Sequence, residues 1–196
     1  MTIILIIMSK LICYDIYSQK ILTVRYAMYR EFYLQTKQIQ QTHNLPIRLP
    51  NPPEDITENI SKFIIQNYGD DPSCKWAKCL GLPGDLTSDI YKMPEIKSFT
   101  SCGPSSFGPN KKFDVLYFLD LRFFETNKFM LWKVNVTSCS PEWKNIMVNK
   151  NQTLQNQCDE KRRPHISFDD IYKQISDKCD KIYDGSFEDI FIPKIV

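Results

Sequence analysis

Three residues near the middle of the chain could together hydrolyse a phosphodiester. Asp85 follows a Pro-Gly pair, and Glu95 and Lys97 come ten and twelve residues after it. Two carboxylates can hold a divalent cation such as Mg²⁺, which neutralises charge on the phosphoryl oxygens. A lysine beside them can orient or activate the attacking water. The pattern is therefore compatible with metal-dependent cleavage of a phosphodiester if the three side chains converge, although by itself it favours an ordinary ion pair.

The spacing of Glu95 and Lys97 fits this chemistry if the segment is a β-strand. Alternate side chains of a strand share one face, which places the two Cα atoms roughly 6.6 Å apart. Ile96, between them, would then point to the opposite face and pack into the core. We therefore expect the acid and the amine to act on the same side of a sheet.

An acid-x-lysine triplet also has an ordinary interpretation, as an ion pair on a solvated sheet face. The chain contains two rival triplets, at 142–144 and 159–161. The first follows a proline and precedes a turn-like run, and the second lies in a wholly polar stretch. Only the triplet at 95–97 follows a Gly-Asp turn and leads into an extended segment, so we prefer it as the candidate site.

Hydrophobic periodicity predicts the elements that must position these residues. The first helix has a ragged apolar face of Ile21, Leu22, Val24, Met28, Phe32 and Leu34. The predicted elements are a helix over 18–41, an extended connector over 45–53, a helix from about 55 to Gly69, extended segments at 84–90 and 93–100, strands at 112–124 and 128–138 joined by a turn at 125–127, and a helix from the N-cap Ser167 to Gly185. This order predicts an α/β or α+β fold with a mixed central sheet flanked by helices.

Length and charge bound the classes of protein that remain. The chain has 196 residues, enough for one globular domain, which we divide into an N-terminal helical region (1–50) and a core (51–190). Its net charge of +2 excludes a polycation. Residues 1–50 carry six basic and two acidic side chains, whereas the last 30 residues are net acidic. This asymmetry suits one basic face, although a solvated helix surface would produce it equally.

Cysteine usage indicates a reducing, cytoplasmic location. The seven cysteines are odd in number and spread along the chain. The closest pair is Cys74 and Cys79, and the two histidines are far apart, so no zinc site is expected. The apolar run at residues 1–8 lacks the features of an export signal and is too short to span a bilayer. We expect a buried strand or helical turn there, or a start at Met8, and no membrane association.

Several blocks of the sequence, in the same order, resemble the PD-(D/E)XK signature of type II restriction endonucleases. The resemblance covers roughly residues 55–190 and has one departure, since Gly84 separates Pro83 from Asp85. The matching blocks are Gly84-Asp85, Glu95-Ile96-Lys97, and the runs 98–109, 113–120, 143–150, 157–158 and 162–164.

This resemblance implies a restriction-endonuclease-like fold and a Mg²⁺-dependent, sequence-specific endonuclease acting on double-stranded DNA. Asp85 and Glu95 would be Mg²⁺ ligands, and Lys97 would orient or activate water. Glu58, on the second predicted helix, matches the place of an extra acid in some members, although an acid in the first turn also stabilises its helix. Because a palindrome presents two strands, a homodimer is expected.

The same resemblance directs attention to polar residues that could contact DNA. These residues could equally form a polar surface loop. The two adjacent arginines before Pro164 are the stronger candidates, because two guanidinium groups are costly to bring together without an anion opposite them. Phosphate-binding candidates are Ser105, Ser106, Lys144, Lys150, Lys161, Arg162 and Arg163. Base-reading candidates are Asn149, Asn151, Gln152, Gln155 and Asn156.

Two other functions remain open at this point. The chain could be a repair or recombination nuclease of the same fold that recognises DNA structure rather than sequence. It could also be a non-catalytic DNA-binding or interaction protein, in which the triplet at 95–97 only decorates the surface.

Overall fold

The computed structural model describes the backbone of residues 2–193 and the side chains of residues 19–193. The helices of this part are α1 (Thr2–His43), α2 (Glu54–Tyr68), α3 (Pro141–Lys144), α4 (Leu154–Asp159) and α5 (Phe168–Ile175). The strands are β1 (Lys75–Trp76), β2 (Leu86–Thr87), β3 (Pro94–Phe99), β4 (Ser105–Ser106), β5 (Val115–Asp120), β6 (Lys128–Val134), β7 (Met147–Asn149), β8 (Gln152–Thr153), β9 (His165–Ile166) and β10 (Cys179–Ser186). None of the described helices is long and apolar enough to cross a membrane.

The chain divides into two compact units, Met1–Ile56 and Thr57–Val196. The first unit is dominated by α1, which contains neither glycine nor proline and so continues without interruption. It begins at Thr2, well before the predicted start at Ser18. The side chains of residues 1–8, for which we predicted burial, lie outside the described residues.

The predicted apolar face of α1 is only partly right, since Leu22 is buried and Ile21 and Leu34 are half-buried. Three of its members are more than half exposed: Val24, Met28 and Phe32. Leu22 belongs to a buried line of side chains spaced four, three and four residues apart, whose other members were not predicted: Leu22, Tyr26, Tyr29 and Tyr33. The physical reason is that tyrosine can bury its ring while its hydroxyl finds a partner, as Tyr29 does by donating to the carbonyl of Pro50 at 2.7 Å.

The second unit is built on a four-stranded sheet in the order β10-β6-β5-β3. β5 is parallel to β3 and antiparallel to β6, and β6 is antiparallel to β10. The sheet is therefore mixed, and helices accompany it, which confirms the predicted fold class. The predicted strands at 93–100, 112–124 and 128–138 are confirmed as β3, β5 and β6.

β5 is the centre of this unit, because all six of its residues are buried. Its alternate residues Leu116 and Phe118 join one large apolar cluster. The ring of Phe168, the first residue of α5, lies 4.9 Å from that of Phe118. Ser167 caps α5 by accepting the amide of Asp170, which confirms the predicted helix start. Burial on both faces is typical of the inner strand of a mixed sheet.

An ion-pair network fixes the end of β5. Asp120 is fully buried, and its carboxylate accepts from the guanidinium of Arg122, with 2.7 Å between Oδ2 of Asp120 and Nη2 of Arg122. The same guanidinium reaches Asp169 of α5 at 3.1 Å and lies 5.1 Å from the ring centre of Phe99. The network thus joins the ends of β3 and β5 to the start of α5.

The predicted final helix is wrong beyond Ile175. A short 3₁₀ turn over Ser176–Lys178 ends α5, and the following residues form β10 at the edge of the main sheet. The apolar residues after Ile175 continue at helical spacing. In the structure, however, this segment forms hydrogen bonds with β6, which it could not form as part of a longer helix. Tertiary pairing has overridden the local period here.

α2 ends where the sequence predicts. The amide of Gly69 donates to the carbonyls of Ile64 and Ile65, and a Cβ atom at Gly69 would lie only 2.8 Å from the latter oxygen. Near this end, the side chain of Asn67 donates to the carbonyl of Ile190 at 2.7 Å. These contacts hold the end of α2 beside the segment that follows β10.

Phe118→Ala tests the central role of β5. Because Phe118 is fully buried, we expect a loss of about 3–5 kcal/mol in the free energy of unfolding. The matched control Phe123→Ala removes the same atoms from a side chain that is 56% exposed and should cost less than about 1 kcal/mol. Urea unfolding followed by circular dichroism measures both, and equal losses would contradict the assignment of the core.

Candidate active site

A glycine turn brings Asp85 to the edge of β3. Gly84 has a φ of +98°, a conformation that few other residues adopt, and the chain turns there into β2. The carboxylate of Asp85 then accepts the backbone amide of Ile96, with a distance of 2.9 Å between Oδ2 and the nitrogen. One hydrogen bond therefore ties the turn to the middle of the strand that carries Glu95 and Lys97.

Glu95 and Lys97 lie on the same face of β3, as alternation predicts. In the parallel register they stand opposite Leu116 and Phe118 of β5. Nζ of Lys97 lies 2.7 Å from Oε1 of Glu95 and 5.5 Å from the ring centre of Phe107. The ordinary interpretation was correct in expecting an ion pair, but not in expecting a solvated face, because the side chain of Glu95 is only 3% exposed.

A second lysine completes the cluster, and the sequence analysis did not identify it. Nζ of Lys111 lies 2.6 Å from Oε2 of Glu95 and 4.0 Å from Oδ1 of Asp85. Lys111 stands in the loop between β4 and β5, next to Lys112. No motif or periodicity distinguishes these two lysines in the sequence, so only the course of the loop could have revealed which one approaches the carboxylates.

The electrostatics of the cluster follow from two carboxylates in a poorly solvated place. Burial raises the pKa of Asp85, and the neighbouring charge of Glu95 raises it further, against the opposing effects of the Ile96 amide and Lys111. Partial burial favours neutral Lys111, but Glu95, Asp85 and Glu58 outweigh it and raise the pKa of this lysine. The cluster therefore attracts and holds positive charge.

Glu58 lies beside this cluster with both of its oxygens already engaged. It accepts from Nε1 of Trp76 at 2.6 Å and from Nζ of Lys78 at 2.8 Å. Burial raises the pKa of Glu58, and the charge of Asp85 contributes in the same direction. Because Trp76 and Lys78 already donate to both oxygens of Glu58, its role as a metal ligand stays a prediction.

The cluster offers two carboxylates as possible ligands for Mg²⁺. Within the side chains described, no group of three or more His, Cys, Asp or Glu residues is arranged to hold a metal. Mg²⁺, however, usually takes one or two carboxylates and completes its shell with water and substrate phosphate. Asp85 and Glu95, which already share a cation in Lys111, fit that requirement.

The predicted DNA-contacting residues fall into two places. Ser105 and Ser106 form β4, which pairs with His165 and Ile166 of β9 and leaves both serines half-buried. Lys144 ends α3 and lines a small cleft. Lys111 and aromatic side chains line the same cleft, whereas Asp85, Glu95 and Lys97 are not among its lining residues.

The remaining candidates lie around β7, β8 and the end of α4. Lys150, Asn151 and Arg163 are exposed. The backbone amide of Asn151 donates to the side-chain oxygen of Asn149. The side-chain oxygen of Gln152 accepts from NH1 of Arg162 at 3.4 Å. The structure thus brings Gln152 and Arg162 together.

Asp85→Asn tests the repulsion between the two carboxylates. The amide removes a charge beside Glu95, while its oxygen can still accept from Ile96, so the metal-free protein should gain about 0.5–2 kcal/mol in the free energy of unfolding. Asp85→Ala also loses that acceptor and should be less stable than the wild type by about 1–3 kcal/mol. Urea unfolding in EDTA at pH 7 measures both variants. Equal destabilisation by the two substitutions would show that repulsion is not the dominant effect.

Comparison with known proteins identifies the family. A family model described as Bsp6I restriction endonuclease matches residues 17–177, which include the cluster of Asp85, Glu95 and Lys97. No curated protein and no solved structure matches the chain. The match covers most of the chain and confirms the predicted resemblance to type II restriction endonucleases, and the mixed sheet is consistent with the PD-(D/E)XK superfamily. The chain belongs to the Bsp6I restriction endonuclease family and is a site-specific deoxyribonuclease, a hydrolase of DNA.

Proposed function

We propose that this restriction enzyme cleaves double-stranded DNA in a sequence-specific, Mg²⁺-dependent reaction at Asp85, Glu95 and Lys97. The observation that carries the proposal is the nearly buried carboxylate of Glu95, which contacts two ammonium groups and lies beside Asp85. An acid so placed has little structural benefit unless a cation is present. Burial and the neighbouring Glu95 raise the pKa of Asp85, and an acid perturbed in this way is typical of functional sites.

Each residue of the cluster has a separate role in this proposal. Asp85 and Glu95 would hold Mg²⁺, which supplies neutralisation of the charge that develops on the scissile phosphate. Lys97, on the same strand face, would hold the attacking water in line by hydrogen bonding from its ammonium. The aromatic ring of Phe107 limits the positions open to that ammonium. Glu58 stays our proposal for an additional ligand, although Trp76 or Lys78 would have to release one of its oxygens first.

DNA would be held by basic, amide and hydroxyl side chains of β4, α3 and the segment from β7 to the residues that follow α4. We assign phosphate contacts to Lys144, Lys150, Arg162, Arg163, Ser105 and Ser106, and base reading to Asn151 and Gln152. Two strands of a palindrome call for two active sites related by a two-fold axis, so we propose a homodimer. The exposed apolar side chains of α1, namely Val24, Met28 and Phe32, are available for such an association.

Lys97→Ala tests the catalytic assignment. We expect the rate of DNA cleavage with Mg²⁺ to fall at least about 100-fold, because the water loses its positioning donor. DNA binding in Ca²⁺, measured by electrophoretic mobility shift, should remain within about threefold of the wild type, since Lys97 is not among the phosphate contacts.

The matched control for Lys97→Ala is Lys173→Ala, which removes a lysine whose side chain is 72% exposed on α5. It should cleave at the wild-type rate. A Lys97→Ala enzyme that still cuts would show that the assigned site is wrong. Nicking confined to branched DNA by the wild type would favour a structure-specific nuclease instead.

Arg163→Ala tests the assigned phosphate contacts. Loss of one phosphate contact should weaken binding to any duplex and reduce the slope of log K against log salt concentration by about one. Fluorescence anisotropy with a 40-base-pair duplex in EDTA, over a series of salt concentrations, measures the slope. Arg48→Ala, which removes another exposed arginine, is the control and should leave the slope unchanged. An unchanged slope for Arg163→Ala would remove this residue from the interface.

A further inference from the structure

Lys111 occupies an unusual position between the two acids proposed as metal ligands. Its ammonium lies 2.6 Å from one oxygen of Glu95 and 4.0 Å from one oxygen of Asp85. Lys97 lies at nearly the same distance from Glu95, 2.7 Å, but contacts the other oxygen. Of these two lysines, Lys111 is the one that the structure pairs with both acids.

The surroundings of the two lysines also differ. Lys97 is part of β3, where strand pairing fixes its backbone, and its side chain is 24% exposed. Lys111 belongs to the loop before β5, its amide closes a turn with the carbonyl of Gly108, and its side chain is 36% exposed. A lysine stem on such a loop can withdraw toward the cleft without disturbing the sheet.

The two carboxylates need a cation whether or not a metal is bound. Two negative charges held together away from water repel each other, and removal of a compensating charge from such a place is costly. In the protein described here, Lys111 supplies the positive charge on the side that both acids face. The other oxygen of each acid is already engaged, Oδ2 of Asp85 by the Ile96 amide and Oε1 of Glu95 by Lys97, so a divalent cation held by the two acids would compete with Lys111.

We propose that Lys111 is an internal counter-cation that competes with the divalent metal for Asp85 and Glu95, so that metal binding must displace its ammonium. This inference rests on the proposed metal-dependent function. It assigns Lys111 a role distinct from that of Lys97: it is a positioning residue that keeps the metal-free carboxylates in place and sets the metal affinity. Metal affinity is thereby lowered by the free energy of the contact that has to be broken.

Mn²⁺ binding to the DNA-free protein tests the proposal without any measurement of cleavage. Free Mn²⁺ is quantified by electron paramagnetic resonance during titration of the wild type and of Lys111→Ala, Lys97→Ala and Lys112→Ala. We expect Lys111→Ala to bind Mn²⁺ about tenfold more tightly than the wild type. Lys97→Ala, which removes an equal charge from the same carboxylate, should increase the affinity clearly less. Lys112→Ala removes the exposed neighbouring lysine and should stay within about twofold of the wild type.

Thermal unfolding provides an independent readout. The metal-free Lys111→Ala protein should have a lower Tm than the wild type, because its carboxylates have lost a partner, and added Mn²⁺ should raise its Tm by more. Lys111→Met, which keeps the apolar stem, replaces the alanine variant if circular dichroism shows that the latter does not fold.

Three results would overturn the inference. Equal or weaker Mn²⁺ affinity in Lys111→Ala would show that the ammonium does not compete with the metal. An equal increase in Mn²⁺ affinity in Lys97→Ala would show that any nearby positive charge has the same effect, whatever the position of Lys111. Absence of Mn²⁺ binding in the wild type and in every variant would overturn the proposed metal site, and this inference with it, whereas binding that is insensitive to Lys111 would leave the metal site standing.

Discussion

The closeness of two carboxylates, Asp85 and Glu95, is the constraint on which the rest of the site depends. Both acids are largely buried, so water stabilises their negative charges poorly. Positive groups must therefore lie around them. The amide of Ile96 and the ammonium groups of Lys97 and Lys111 meet this need in the metal-free protein. A metal ion would meet it more completely. The arrangement is costly for folding and useful for binding a cation, as is usual at catalytic sites.

The fold supports this constraint by placing the carboxylates on rigid elements. β3 is hydrogen-bonded along its length to β5, whose residues are all buried, and the apolar cluster beneath β5 extends to Phe107, next to Lys97. At the far end of β5, the contacts between Asp120, Arg122 and Asp169 tie the sheet to α5. Glu95 and Lys97 therefore project from a surface that has little freedom to relax when charges repel. Loss of packing at Phe118 of β5 would therefore also disturb Glu95 and Lys97 on the neighbouring strand β3.

Much of this arrangement can be predicted from local sequence, and the failures have two causes. Alternation along β3 is a local property, so the common face of Glu95 and Lys97 follows from spacing alone. The end of α2 at Gly69 and the N-cap at Ser167 are likewise decided by a few adjacent residues. The approach of Lys111 and the strand β10 both depend on contacts between segments distant in sequence, which no local period encodes. The face of α1 was misjudged because hydrophobicity ranks methionine and phenylalanine above the tyrosines that are in fact buried.

We propose that this cluster cuts duplex DNA at a defined sequence with the help of a divalent metal. The most direct measurement is to digest one DNA of known sequence with the wild-type enzyme, in Mg²⁺ and in EDTA, and to sequence the fragment ends. The proposed function predicts discrete fragments whose ends share one short sequence, formed in Mg²⁺ and not in EDTA. Cleavage that persists in EDTA, or ends without a common sequence, would contradict it.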